Sequence, residues 1–126
     1  SKEHIAKALR IRKLFGGAMR QVGFLAAAGM YALDNHVERL AEDHKKAKEI
    51  GAVLESLSYV TKVEPIETNI VIFYVDDKVG DINFINKMKE KNILLTPMDE
   101  GKIRIVTHLD YTDEMHSILL QELKNF

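Results

Sequence analysis

The sequence contains no cysteine and no tryptophan, and only two of its 126 residues are proline. The lack of cysteine excludes disulfide bonds and thiolate metal sites, and it is compatible with a reducing compartment but does not demand one. We expect a cytoplasmic protein. The longest apolar run, residues 24–33, has about half the length that a membrane-spanning helix needs. An amphipathic segment precedes this run, which is not the pattern of a signal peptide. We therefore expect no membrane partner.

The composition is typical of one globular domain, or of one domain with an appendage. Hydrophobic residues make up 46% and charged residues 29% of the sequence, which excludes a disordered or fibrous chain. The net charge is −1, yet residues 1–22 carry +5 and the remainder −6. This concentration of cations indicates a bound anion, although a solvated helix face also explains it. Nucleic-acid binding is disfavoured, because the cations have no interleaved aromatic residues.

The first third of the sequence predicts a helical arm. Apolar residues at helical spacing predict a helix over residues 3–14, with Ser1 as its N-cap. Gly16 and Gly17 end this helix, since adjacent glycines have poor helix propensity, and they would also let the backbone approach a ligand closely. The helix predicted over residues 18–33 is apolar on every side. We expect it to pack against another subunit or a part outside this sequence; the alternative is a central core helix of this domain.

The remainder of the sequence continues with one more helical segment, and the period of the apolar residues changes from Ser58 onward. Asp34 and Asn35 are expected as turn and N-cap residues. The elements predicted after them are helices over 37–57, 81–91 and from Thr112 onward, and strands over 59–63, 69–75, 93–95 and 102–106. The residues of these helices that we expect to face the core of the domain are Val37, Leu40, Ala41, Ala47, Ile50, Leu54, Ile82, Ile85, Met88, Ile118, Leu119 and Leu123.

The order α-β-β-α-β-β-α predicts fold class α+β, a small two-layer domain with helices on one face of a mostly antiparallel sheet. We therefore expect two parts: residues 1–33 as a helical linker, and residues 34–126 as the small α+β domain.

Residues that carry chemistry are few. The five histidines make no metal-ligand spacing, so we assign no metal site, and no phosphate-binding or nucleophile motif is present. Arg104 stands out, because strand alternation puts it on the opposite face from Ile103 and Ile105. A guanidinium on a rigid strand suits a carboxylate or a phosphate. The alternative is an arginine on the solvent face of an edge strand.

Four blocks resemble, in order, segments of the low-specificity threonine aldolases. Residues 12–23, R-K-L-F-G-G-A-M-R-Q-V-G, with L-A-A-A-G at 25–29, resemble the family's R-K-x-x-G-G-G-M-R-Q-x-G-x-L-A-A-A segment. Residues 35–44 resemble its N-V-E-R-L-x-E-D-H helix, residues 68–71 its T-N-x-V strand, and residues 103–110 its I-R-x-V-T-H-L-D segment. One departure is Ala18, where the family usually has a third glycine.

The resemblance implies a fold-type-I enzyme that uses pyridoxal 5′-phosphate (PLP) to cleave threonine or allo-threonine to glycine and acetaldehyde. The hydroxyl proton is removed, and the Cα–Cβ bond breaks with the cofactor as electron sink. Arg104 matches the arginine that holds the substrate carboxylate. Lys13 and Arg20 match cationic positions close to the cofactor. A homo-oligomer, either dimer or tetramer, and an amino-acid substrate are also implied.

The resemblance further implies that the lysine that attaches the cofactor lies outside this sequence. In the family this lysine is in an S-x-S-K-G-L-G segment upstream of the position that matches Ser1, and no lysine here has such neighbours. The first residue is also not Met. We therefore expect a C-terminal fragment without its large domain, with no catalytic residue, no bound PLP and no activity alone. The alternative is a non-catalytic ferredoxin-like module that binds a ligand or partner, with helix 24–33 buried inside it.

Overall fold

The computed structural model describes residues 1–126, apart from the side chain of Glu100. The chain forms two compact units, residues 1–37 and residues 38–126. Among the described residues, no helix is both long enough and apolar enough to cross a lipid bilayer.

Helix α1, Lys2–Leu14, has the capping residues that the sequence predicts. The Ser1 hydroxyl accepts a hydrogen bond from the His4 N–H at 3.3 Å. At the other end, Gly16 has a φ of 80°, and the Gly17 N–H donates to the Arg12 carbonyl at 2.8 Å. A Cβ at Gly17 would lie 2.7 Å from Cγ of Arg12. The glycine pair is therefore required to close the end of α1, whether or not a ligand approaches it.

Helix α2, Gly23–His36, has different bounds from those expected. It begins at Gly23 and not at the expected residue 18, because residues 20–22 form a turn. Gln21 in this turn has a φ of 52°, a conformation that a right-handed helix excludes. The helix continues through Asp34 and Asn35, so the prediction that these two residues form a turn and an N-cap was wrong. The Asn35 amide donates to the Tyr31 carbonyl at 2.9 Å, which is a contact within the helix.

The apolar side chains of α2 are exposed. No residue of this fully described helix is buried, and Phe24 and Leu33 are 84% and 70% exposed. Within its own unit, residues 1–37, helix α2 therefore does not form the centre of a core. An apolar surface of this kind is typical of a contact with another polypeptide.

The second unit has the predicted order of elements. These are α3 (Leu40–Glu55), β1 (Val60–Val63), β2 (Ile70–Val75), α4 (Asp81–Glu90), β3 (Thr96–Pro97), β4 (Ile103–Val106) and α5 (Asp113–Lys124), with a 3₁₀ turn at Asp99–Gly101. The four strands form one antiparallel sheet in the order β1-β2-β4-β3. The predicted α+β class, with helices on one face of an antiparallel sheet, is confirmed.

The strand β3 is displaced from its expected position. The apolar residues 93–95 are not part of a strand, whereas Thr96 pairs with Arg104 and Pro97 with Ile103. Proline is accepted here because β3 is an edge strand, where the missing N–H removes no ladder bond on the outer side. Apolar character alone therefore predicted the wrong residues.

The core lies between the sheet and the three helices. Strand residues Val71, Phe73, Ile103 and Ile105 face this core, together with helix residues Ala47, Ile50, Leu54, Phe84, Met88, Leu119 and Leu123. Several expected core residues are exposed or only partly buried instead: Val37, Leu40, Ala41, Ile82, Ile85 and Ile118. Phe84 was not predicted, yet its ring centroid lies 5.7 Å from that of Phe73 and 4.8 Å from that of Phe126.

Candidate functional site

Arg104 lies on an inner strand of the sheet. Its neighbours across the sheet are Ile72 on β2 and Thr96 on β3, so the alternative of an arginine on an edge strand was wrong. The side chain is half-buried, and its Nε is buried without a hydrogen-bond partner among the described residues. An unpaired buried donor costs about 1–3 kcal/mol. The guanidinium is therefore suited to an anion that accepts from it.

A cavity of about 590 Å³ lies beside Arg104. It is lined by residues 91–96, residues 104–106, His108, Tyr111 and one side of α5, and most of these side chains are apolar. Two other polar groups of the lining have partners: Nζ of Lys91 lies 3.8 Å from the Glu122 carboxylate, and Nδ1 of His108 accepts from the Asp110 N–H at 3.2 Å. Of the lining side chains that the structure describes, Arg104 is thus the one with a buried nitrogen, Nε, that has no hydrogen-bond partner.

A set of hydrogen bonds anchors the end of β4. The Thr107 hydroxyl donates to the Asp43 carbonyl at 2.8 Å, and the Thr107 N–H donates to the Asn69 carbonyl at 3.0 Å. The Asn69 amide donates to the Thr107 carbonyl at 2.7 Å. Nη2 of Arg39 donates to both Asp43 carboxylate oxygens, at 2.7 and 2.8 Å. The blocks 35–44, 68–71 and 103–110 therefore meet at this anchor.

A second polar cluster joins α3 to α5. Nε2 of His116 lies 2.8 Å from the Glu49 carboxylate, and its Nδ1 lies 3.2 Å from the Tyr111 hydroxyl. Nζ of Lys46 donates to the Tyr111 carbonyl at 2.9 Å and lies 2.7 Å from the Asp113 carboxylate. Burial raises the pKa of Tyr111 to about 12, and the hydrogen bond from Lys46 lowers the pKa of Asp113. Tyr111 is consequently neutral at physiological pH.

Lys13 and Arg20 belong to the first unit, residues 1–37. Lys13 lies in the last turn of α1 and Arg20 in the turn before α2, and both side chains are exposed. Arg104 belongs to the second unit. A site that these three cations share therefore stays a prediction.

The anchor of β4 was missed in the sequence because its partners are far apart in the chain. Asp43 and Thr107 are polar residues that the fold buries. The available signal was local: Arg39 and Asp43 are four residues apart, a spacing that puts both on one face of a helix. Nothing in the sequence spacing indicates that the Thr107 hydroxyl reaches α3.

Known proteins match this chain in both sequence and fold. Residues 1–78 match the family model described as beta-eliminating lyase. The chain belongs to the beta-eliminating lyase family. This lyase-family chain is 39% identical over 117 residues to the low specificity L-threonine aldolase of Escherichia coli O157:H7, with 90% of the chain and 33% of that protein covered. It is 36% identical over 116 residues to probable low-specificity L-threonine aldolase 2 of Arabidopsis thaliana, with the same two coverages.

The resemblance to low-specificity threonine aldolases is therefore confirmed, and the chain spans about a third of the length of these relatives. Among solved structures, the cystine C–S lyase C-DES, in complex with its product cysteine persulfide, superposes with a TM-score of 0.63 at 23% identity. The match covers 82% of this chain and 28% of C-DES. A C-DES variant with glycine covalently linked to its PLP cofactor matches equally well. These structures support the fold-type-I assignment.

Proposed function

We propose that this chain is the C-terminal part of a PLP-dependent threonine aldolase, which cleaves threonine or allo-threonine to glycine and acetaldehyde. Family membership and the L-threonine aldolases among the relatives support the proposal. Because the chain spans about a third of those relatives, the activity belongs to a longer protein. Residues 34–126 are its small domain, and residues 1–33 link that domain to the large one.

The observation that carries the proposal is the buried Nε of Arg104 on an inner strand, which finds no hydrogen-bond partner among the side chains that the structure describes. This residue fits the amino-acid substrate of a PLP enzyme, since a planar fork of N–H donors matches a carboxylate in charge and geometry. PLP, when bound, supplies the electron sink for cleavage of the Cα–Cβ bond. Arg104 holds the substrate carboxylate, and thereby limits the directions that the Cα–Cβ bond can take.

The first unit contributes charge and an apolar surface to the proposed enzyme. Lys13 and Arg20 are exposed and lie close to the cofactor, where two cations favour anionic groups. The exposed apolar side chains of α2 pack against the large domain, since burying them there removes them from water. The complete enzyme is a cytoplasmic homo-oligomer, either a dimer or a tetramer.

The cofactor-attaching lysine belongs to the large domain, so the 126-residue chain alone is inactive and binds no PLP. Reduction of a mixture of the chain and PLP with borohydride tests this point. We expect only low, scattered labelling of surface lysines in the peptide map. A stoichiometric adduct at a single lysine would show that the chain attaches the cofactor itself.

The function is tested by measuring acetaldehyde release from threonine by the longer protein. Arg104→Lys keeps the charge and loses the bidentate fork, so we expect a fall in kcat/KM of about 30-fold, which corresponds to about 2 kcal/mol of lost hydrogen bonding. The matched control is Arg10→Lys, the same change at an exposed arginine of α1. The proposal is wrong if the unaltered protein releases no acetaldehyde, or if both variants have wild-type kinetics.

A further inference from the structure

The position of Arg104 depends on the backbone of β4. This strand pairs with β2 along residues 103–106 but with the short strand β3 only at residues 103 and 104. The outer edge of β4 is therefore not covered by β3 beyond Arg104. Since Nε of Arg104 has no hydrogen-bond partner among the described residues, that nitrogen does not help to hold the side chain.

Thr107 is the point at which this backbone is fixed. The residue is fully buried, and it lies three residues, or about 10 Å of strand, beyond Arg104. Its hydroxyl donates to the Asp43 carbonyl at 2.8 Å, its N–H donates to the Asn69 carbonyl at 3.0 Å, and its carbonyl accepts from the Asn69 amide at 2.7 Å. Every polar group of Thr107 therefore has a partner.

The hydroxyl bond differs from the other two because it leaves the sheet. The backbone bond to Asn69 continues the pairing of β2 with β4, and the Asn69 side-chain amide adds a bond between the same two segments. The hydroxyl also lies 3.4 Å from the Asn69 carbonyl, but its shorter bond is to the Asp43 carbonyl, which belongs to α3. Asp43 is itself held by Arg39 through both carboxylate oxygens. The Thr107 hydroxyl thus ties the C-terminal end of β4 to the helical layer.

We infer that Thr107 is a positioning residue for Arg104, and that its hydroxyl holds the guanidinium where a substrate carboxylate meets it. The claim that a carboxylate binds Arg104 rests on the proposed function, whereas the claim that Thr107 restrains Arg104 does not. A displacement of about 1 Å in a positioning group lowers a catalysed rate by about 100-fold, so such a restraint would matter for catalysis.

The restraint is measured directly by NMR relaxation of the Arg104 backbone N–H bond in the ¹⁵N-labelled 126-residue chain. In the unaltered chain we expect an order parameter near that of rigid backbone, about 0.85. Thr107→Val preserves the shape of the side chain and removes the hydroxyl, and we expect the order parameter to fall below about 0.6. Thr107→Ser retains the hydroxyl and should restore the wild-type value.

The matched control is Thr61→Val, which removes an exposed hydroxyl that lies 3.4 Å from the Tyr74 carbonyl on β2. We expect no change at Arg104 in this variant. If Thr107→Val fails to fold, Thr107→Ala also removes the hydroxyl bond to the Asp43 carbonyl and should likewise lower the order parameter. An unchanged Arg104 signal in the folded variant, even with lower thermal stability, would mean that Thr107 only stabilises the fold and would overturn the inference.

This measurement requires neither cofactor nor substrate. A failure of the proposed function would instead show as wild-type kinetics in Arg104→Lys. The two failures are therefore distinguishable.

Discussion

Replacement of Arg39 by methionine is expected to lower the free energy of unfolding by about 3 kcal/mol. Arg39 contacts both oxygens of Asp43, and the two side chains are only 21% and 5% exposed. Removing one member of a buried ion pair leaves an uncompensated charge, which costs about 3–5 kcal/mol. The lower end of this range of costs applies because some water reaches Arg39. The loss is a large fraction of the 5–15 kcal/mol that stabilises a typical domain.

Urea unfolding of four proteins measures this effect: the unaltered chain, Arg39→Met, Asp43→Leu and the double variant. The double variant leaves no charge in the site and keeps the Asp43 backbone carbonyl that Thr107 contacts. We therefore expect it to recover most of the stability that Arg39→Met loses. A cost below about 1 kcal/mol for Arg39→Met, which is typical of an exposed ion pair, would refute the reasoning. So would a double variant less stable than either single one.

Three further changes have defined outcomes. Phe84→Ala should lower the free energy of unfolding in urea by about 3–5 kcal/mol, because the fully buried ring leaves a cavity. The hydrogen bond from Lys46 lowers the pKa of Asp113 in the folded protein. The ionised Asp113 therefore stabilises the fold above pH 3.8, its ordinary pKa, and this stabilisation is lost as the pH falls through the folded-state pKa. Asp113→Asn should reduce that fall in Tm at acid pH. Gly16→Ala adds a side chain at a φ of 80°, which costs about 1–2 kcal/mol locally and should accelerate hydrogen exchange at Gly17.

The features that the sequence predicts well are those with local causes. Ser1 and Thr112 cap helices because their hydroxyls accept from an N–H three residues later. The run at residues 70–75 forms β2 because β-branched and aromatic side chains fit a buried strand. The order of helices and strands follows from such signals, and so does the α+β class.

The features that the sequence does not predict depend on distant residues. One local feature was also missed: polar residues favour turns, yet Asp34 and Asn35 continue α2, where the Asn35 amide donates to the Tyr31 carbonyl one turn earlier. The position of β3 is decided by its pairing with β4 and not by the apolar residues 93–95. Phe84 becomes central only when β2 and α4 meet.

The candidate site likewise has features that the sequence predicts and features that it does not. Alternation along a strand was sufficient to separate Arg104 from its apolar neighbours. That β4 pairs with β2, and that Thr107 is tied to Asp43, depends on contacts between segments 30 or more residues apart. Such contacts leave no trace in local spacing.

The most direct test of the central claim, that Arg104 holds the substrate carboxylate, is a ligand titration of the longer protein loaded with PLP. Glycine carries the carboxylate, and methylamine is the matched ligand without it. We predict that Arg104→Lys weakens glycine binding by about 30-fold, through loss of about 2 kcal/mol of charge-assisted hydrogen bonding, and leaves methylamine binding unchanged. Equal affinities of the variant and the unaltered protein for glycine, or an equal loss for both ligands, would contradict the account.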